Sequence, residues 1–197
     1  RRGRPGWYDG GGPPRGAGRR VKLLPFELAM TTRFRGITAR RGVLVRGEAG
    51  WGEWSPFAEY TYPEILPWWR AACEAATVGF PAPVRDRVAV NCTIPAIAPD
   101  LAPARTRASG CRTAKIKVAE RGQSFAEDVA RVEAVRDALG PDGGVRVDAN
   151  GAWTLEEAFA HLRELARFGL EYAEQPCADV EDLRALRLGL ARADRKS

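Results

Sequence analysis

Three short stretches decide how this chain folds: TAKIKVA at 113–119, GVRVDAN at 144–150 and LEYAEQP at 170–176. In the first, Lys115 and Lys117 alternate with Ile116 and Val118, the period of a strand with one polar and one apolar face. Each stretch reads as a short strand, and the apolar run VAVNCTI at 88–94 reads as another. Helices lie between them. Ser124 and Glu127 have capping-box spacing ahead of Phe125, Val129, Val132 and Leu139, and Gly140-Pro141 closes that helix. Thr154 and Glu157 repeat the device ahead of Leu155, Phe159, Leu162 and Leu165, with Gly169 as the stop. A last helix is predicted from about Val180 to about Leu190. Strand and helix alternating every ~25–30 residues means parallel βαβ units, in either a doubly wound sheet or a (β/α)8 barrel. Neither GxGxxG nor GxxxxGK[ST] follows any strand, so nucleotide-binding folds lose their main support.

Upstream the texture differs. Residues 23–60 are rich in Phe, Trp, Ile, Val and Gly, with turn signals at Arg46-Gly47 and Ala49-Gly50, and predict a small antiparallel sheet. PEILPWWRAACEAATVGF at 63–80 predicts a helix with Leu66, Trp69, Cys73 and Ala76 on one face, stopped by Pro81 and Pro83. Residues 1–20, RRGRPGWYDGGGPPRGAGRR, have the composition of a disordered basic tail. The expected organisation is therefore a tail over 1–20, a small α+β domain over 21–86, and an α/β domain over 87–197 that carries the chemistry.

The formal charge of +6 sits in that tail: residues 1–22 hold seven basic groups and one acid, and the rest of the chain is balanced. No nucleic-acid partner is expected for the folded part. No stretch approaches the ~18 apolar residues of a membrane span, and none is expected. The four cysteines stand singly, without a CxxC pair, which fits a reducing, cytoplasmic setting better than a zinc site or disulfide framework.

Polar residues gather at the C-terminal ends of the predicted strands: Lys117, then Asp148 with Asn150, then Glu174 with Gln175. That is the layout of a barrel active site. The two carboxylates offer hard oxygen ligands suited to Mg2+. A lysine beside a divalent cation and a second lysine is pushed toward its neutral, basic form. Such an amine can remove the proton alpha to a metal-bound carboxylate, and the metal stabilises the enediolate that results. Only four of the 31 basic residues are lysines, and two of those four fall in this one strand. That usage points to a need for a titratable amine rather than a surface charge. His161, in the middle of an amphipathic helix, is expected at the surface or its boundary and has no assigned role.

TAKIKVAE, VDANGAW and EYAEQP resemble the KxK, DxN and ExP motifs of the lysine-base branch of the enolase superfamily. The segment TRFRGITARRGVLVRGEAGWGEWSPFAEY is similar to the capping domain of the o-succinylbenzoate synthase family, actinobacterial type. The resemblance covers roughly residues 21–187. It implies an α/β fold with a small α+β cap, namely a superfamily capping domain followed by the first half of a (β/α)8 barrel. It implies that Lys117 is the general base and then the general acid of a syn dehydration, with Lys115 beside it lowering its pKa and holding the carboxylate. Asp148 and Glu174 would be two of three Mg2+ ligands. Asn150, Arg33, Arg35, Ile37 and Ser55 would contact a small-molecule carboxylate substrate. The implied reaction converts 2-succinyl-6-hydroxy-2,4-cyclohexadiene-1-carboxylate to o-succinylbenzoate on the menaquinone route.

A complete barrel takes roughly 250 residues, so the expected barrel is incomplete. The third metal carboxylate and an opposite-face lysine have no clear counterpart, although Asp194 in LARADRKS stands in a similar local context. Two alternatives stay open: another enolase-superfamily enzyme (an N-acylamino acid racemase, dipeptide epimerase or muconate cycloisomerase), or an inactive fragment.

Overall fold

The computed structural model describes residues 21–34 and 36–193. The expected tail over 1–20, Arg35 and Asp194 lie outside the described residues. Two compact units divide between Val84 and Arg85.

The first unit is a three-stranded antiparallel sheet with one helix. Strands β1 (Lys22–Phe34), β2 (Ile37–Arg46) and β3 (Trp51–Trp54) pair in that order. Gly36 takes φ 76°, the left-handed conformation a tight β1–β2 connection demands. Helix α1 (Tyr62–Thr77) starts where the Glu64 carboxylate accepts from the Thr61 N–H at 2.7 Å and from its hydroxyl at 2.8 Å. Its buried face is Ile65, Ala72 and Ala76 with Trp69 packed beside them. That is rotated from the expected Leu66–Cys73 stripe. Close approach to the sheet sets the rotation, because small residues must face β3 while Trp69 meets Trp54 edge-on at 5.6 Å. Trp51, by contrast, is half exposed.

The second unit is a four-stranded sheet, all parallel, in the order β4 (Cys92–Ile94), β5 (Thr113–Lys117), β6 (Gly144–Asp148), β7 (Leu170–Glu174). Helices α2 (Ala102–Ala108), α3 (Phe125–Leu139), α4 (Leu155–Leu165) and α5 (Val180–Ala193) connect and follow the strands. Both expected capping boxes form, with Ser124 and Thr154 each accepting from the N–H three residues on. Gly140 and Gly169 end their segments with φ 74° and 64°. The predicted strand over 88–94 shrinks to three residues. Val88 and Val90 stay largely exposed, so residues 88–91 lack the apolar burial that would extend the strand, although Asn91 accepts from Arg146 of β6 at 2.9 Å.

Register explains why one face is greasy and the other charged. Ile94, Ile116, Val147 and Ala173 are successive partners across the sheet. They join Val132 and Val135 of α3, Leu162 and Leu165 of α4, and Leu186 of α5 in one core. The helices thus gather on a single face, which is barrel-like and not doubly wound. One residue along each strand, Lys117, Asp148 and Glu174 form the last row of the opposite face.

In the first unit the tightest constraint is Gly52. A Cβ there would meet the Ala72 carbonyl oxygen of α1 well inside contact distance. Gly52→Ala should therefore cost about 1–3 kcal/mol by forcing α1 off the sheet. Urea unfolding followed by tryptophan fluorescence checks this, and an unchanged midpoint would show that the approach is looser than described.

Candidate active site

Lys117 and Asp148 end neighbouring strands as register partners, and Asp148 partners Glu174 on the next. The Asp148 side chain is 1% exposed, yet it sits among charges. Its Oδ2 accepts from Lys117 Nζ at 2.5 Å and lies 3.2 Å from Lys115 Nζ. Its Oδ1 accepts from the Asn150 N–H at 3.0 Å. Lys115 Nζ also donates to Glu174 Oε2 at 2.8 Å, and Lys117 Nζ to Asn150 Oδ1 at 2.9 Å. Lys115, Lys117, Asp148, Asn150 and Glu174 are thus brought into one cluster.

Burial alone would push the Asp148 carboxyl up. The bonds from Lys117, the Asn150 N–H and Lys115 outweigh it and hold the carboxyl below its ordinary value. For Lys115, partial burial disfavours the ammonium, but the bonds to Glu174 and Asp148 win and raise its pKa. Each of the two ammoniums lies against a carboxylate.

The backbone beyond each strand end is unusual. Ala119, Asn150 and Gln175 follow β5, β6 and β7, and all three have positive φ, at 59°, 50° and 40°. Such conformations cost non-glycine residues about 1 kcal/mol or more and need outside support. At Asn150 the support is the Asp148 carboxylate on its own N–H. The Val118 N–H donates to the Asp148 carbonyl, and the Ala149 N–H to the Glu174 carbonyl, so the ladder runs on past the charged row.

The other predicted contacts belong to the first unit. Arg33 lies near the end of β1, and Ile37 pairs with Phe34 across the hairpin. Ser55 spends its hydroxyl on the Arg41 carbonyl at 2.8 Å, and its own carbonyl accepts from Arg40. Arg40 also stacks over the Phe57 ring at 4.5 Å. His161 is partly buried, at the boundary its helix position predicts. Its ring stacks on Phe125 at 3.7 Å and meets Trp153 edge-on at 5.0 Å, with Nδ1 buried and unbonded.

Asp148 and Glu174 suit a hard divalent cation in donor chemistry and placement, since a single positive nitrogen, Lys115 Nζ, already bridges both. Among the described residues no cluster of three or more His, Cys, Asp or Glu side chains forms, so these two are the protein donors on hand. Mg2+ commonly takes one or two carboxylates and fills its remaining positions with water and substrate oxygens.

A parallel sheet with helices on one face and a Lys–Asp–Glu row at its C-terminal end belongs to the barrel enzymes. Residues 26–76 match the family described as Enolase N-terminal domain-like, and residues 99–194 the one described as Enolase C-terminal domain-like. The chain belongs to the enolase superfamily. Within it, the chain is 62% identical over 162 residues to the o-succinylbenzoate synthase of Thermobifida fusca, covering 82% of this chain and 51% of that one. It is 52% identical over 168 residues to the o-succinylbenzoate synthase of Mycolicibacterium smegmatis, covering 84% and 51%. The chain therefore spans about half the length of these curated relatives. Among solved structures it resembles the L-Ala-D/L-Glu epimerase of Bacillus subtilis (TM-score 0.69, 23% identity, 85% of this chain and 64% of that one). It also resembles the o-succinylbenzoate synthase of Thermosynechococcus elongatus, complexed with Mg in the active site (TM-score 0.53, 23% identity, 88% and 65%). No described helix is long and apolar enough to cross a membrane.

The charge cluster predicts measurable coupling. Asp148→Ala should destabilise the unit by about 1–3 kcal/mol in chelator-containing buffer, because two partly buried ammoniums lose a shared partner. Lys117→Met should cost less in that background than in the parent, with at least about 1 kcal/mol of coupling in a double-mutant cycle. Additive effects would mean that the pair is not formed in solution.

Proposed function

We propose that this sequence encodes the cap and the lysine-bearing barrel strands of a Mg2+-dependent o-succinylbenzoate synthase. The reaction is the syn dehydration of 2-succinyl-6-hydroxy-2,4-cyclohexadiene-1-carboxylate, on the menaquinone route. The observation that carries this reading is the register row Lys117–Asp148–Glu174, which sets an amine beside two carboxylates at the C-terminal end of a parallel sheet. The identity to two o-succinylbenzoate synthases supports the choice of reaction.

Asp148 and Glu174 would hold the metal. When bound, Mg2+ supplies positive charge where the substrate carboxylate gathers negative charge. Asp148 Oδ2 serves two ammoniums, so with a cation held there it would bind each of them less tightly. Lys117, beside the Lys115 charge, would act as the base in its neutral form. Its Nζ takes the proton alpha to the substrate carboxylate, breaking the C–H bond. It then delivers that proton to the hydroxyl leaving from the same face, so the C–O bond breaks, the C=C bond forms and water departs. Asn150 Oδ1 keeps a second bond to Lys117 and steers the amine while the proton moves. Lys115 holds a positive charge next to the reacting carboxylate. Arg33, Arg35, Ile37 and Ser55 are proposed as substrate contacts on the strength of the family resemblance.

The purified chain with Mg2+ and this substrate is the test. Lys117→Ala should lower kcat by about 10²–10⁴-fold, the usual worth of a general base, while Mg2+ affinity by calorimetry stays within about twofold. Asp148→Ala should abolish Mg2+ binding. A parent chain without turnover, or Lys117→Ala at the parent rate, would overturn the reading.

A further inference from the structure

Helix α3 carries a buried ion pair with no part in the chemistry above. Asp128 is 2% exposed and Arg131 is fully buried. Arg131 Nη2 donates to Asp128 Oδ1 at 3.0 Å, and Nη1 to the same oxygen at 3.2 Å. The guanidinium also grips Gln123 Oε1, at 2.5 Å from Nη2 and 3.2 Å from Nη1. A buried pair of this kind adds little net stability, because desolvation cancels most of the attraction. Here the balance is poorer still, since Arg131 Nε has no hydrogen-bond partner. What the pair supplies is fixed geometry, and both of its outward bonds end at strand termini.

The first outward bond runs from the Ala119 N–H to Asp128 Oδ2, at 2.8 Å. Ala119 stands two residues past Lys117 in the left-handed conformation. With β5 ended, that N–H has no ladder partner, and Asp128 satisfies it while holding the strained turn. The second runs from Gln123 Nε2 to the Ala96 carbonyl at 2.8 Å, two residues past the end of β4. One buried guanidinium therefore ties the turn after β5 to the turn after β4.

We propose that Asp128, Arg131 and Gln123 form a positioning strap that fixes where the C-terminal end of β5, and with it Lys117 Nζ, stands relative to Asp148. These are positioning residues and touch no reacting atom. The proposal rests on the reading of Lys117 as the base, but the strap itself can be judged without turnover. Lys115 is the internal control. It lies two residues back on the same strand, where the ladder to both neighbours already pins the backbone.

The test compares the parent with Asp128→Asn and with Gln123→Ala; Gln123 is only partly buried, so its loss does not threaten the fold. Hydrogen exchange of the Ala119 amide and of the Lys115 and Lys117 ammonium protons is followed by NMR. The strap predicts that both variants speed exchange at Ala119 and Lys117 by about tenfold while Lys115 stays within about twofold, a local opening. Gln123→Glu keeps the acceptor for Arg131 and gives up the donor to Ala96, so it should retain most of the Ala119 protection. In turnover, Asp128→Asn should lower kcat by about 10–100-fold with KM nearly unchanged, the mark of a misplaced base. Unchanged exchange at Ala119 and Lys117 overturns the strap, as does equal acceleration at Lys115, which would mark general loosening. A parent chain without turnover counts against the activity reading, and the exchange rates then decide the strap alone.

Discussion

The carboxylate of Asp148 is the point on which the second unit turns. It is almost fully buried, it ends a central strand, and it receives two ammoniums and a backbone N–H. A lone buried carboxylate would be driven to its neutral form. This one stays charged because β5 delivers two lysines on the same face, two residues apart. That delivery depends on register. A one-residue slip of β5 against β6 would turn Ile116 into the charged row and both lysines into the helix-covered core. The apolar row Ile94–Ile116–Val147–Ala173 fixes the register, so the packing of α3 and α4 and the placing of the charges are one constraint seen from two faces.

The same arrangement sets both ammoniums on the site's carboxylates. Lys115 Nζ already occupies the position of a shared cation between Asp148 and Glu174. The lysine bonds hold the Asp148 carboxyl below its ordinary value, and the bonds to Glu174 and Asp148 raise the Lys115 pKa. In the proposed reading, a cation held by Asp148 and Glu174 would share these carboxylates with the lysines, and Asp148 Oδ2 would be the atom common to the metal site and the base. Left-handed turns at Ala119, Asn150 and Gln175 follow all three strand ends.

Much of this was legible in the sequence, for identifiable reasons. Strand β5 announces itself by alternation, and α3 and α4 by Ser124/Glu127 and Thr154/Glu157, which are local signals. The Lys117–Asp148–Glu174 row followed from strand ends alone. The failures are equally physical. Residues 88–91 are apolar enough for a strand, but they pair with none: Asn91 accepts from Arg146 of β6 through its side chain, and Val88 and Val90 remain in solvent. The buried stripe of α1 was misplaced because a close approach to Gly52 decides it, not the count of apolar residues. The Asp128–Arg131–Gln123 network leaves no periodic trace. A charged pair at i, i+3 reads as a solvated helix face until tertiary structure buries it. His161 stands at the boundary, as its helix position predicts, and Phe125 and Trp153 from other segments cover one side of its ring.

The central claim is that a divalent cation belongs at Asp148 and Glu174 and displaces Lys117. Mn2+, a paramagnetic stand-in for Mg2+, tests it by NMR on the purified chain. The account predicts selective broadening at Asp148, Asn150 and Glu174 at low Mn2+, faster exchange of the Lys117 ammonium protons when diamagnetic Mg2+ is added instead, and loss of both effects in Asp148→Asn. Broadening centred elsewhere, or effects that persist in Asp148→Asn, would contradict it.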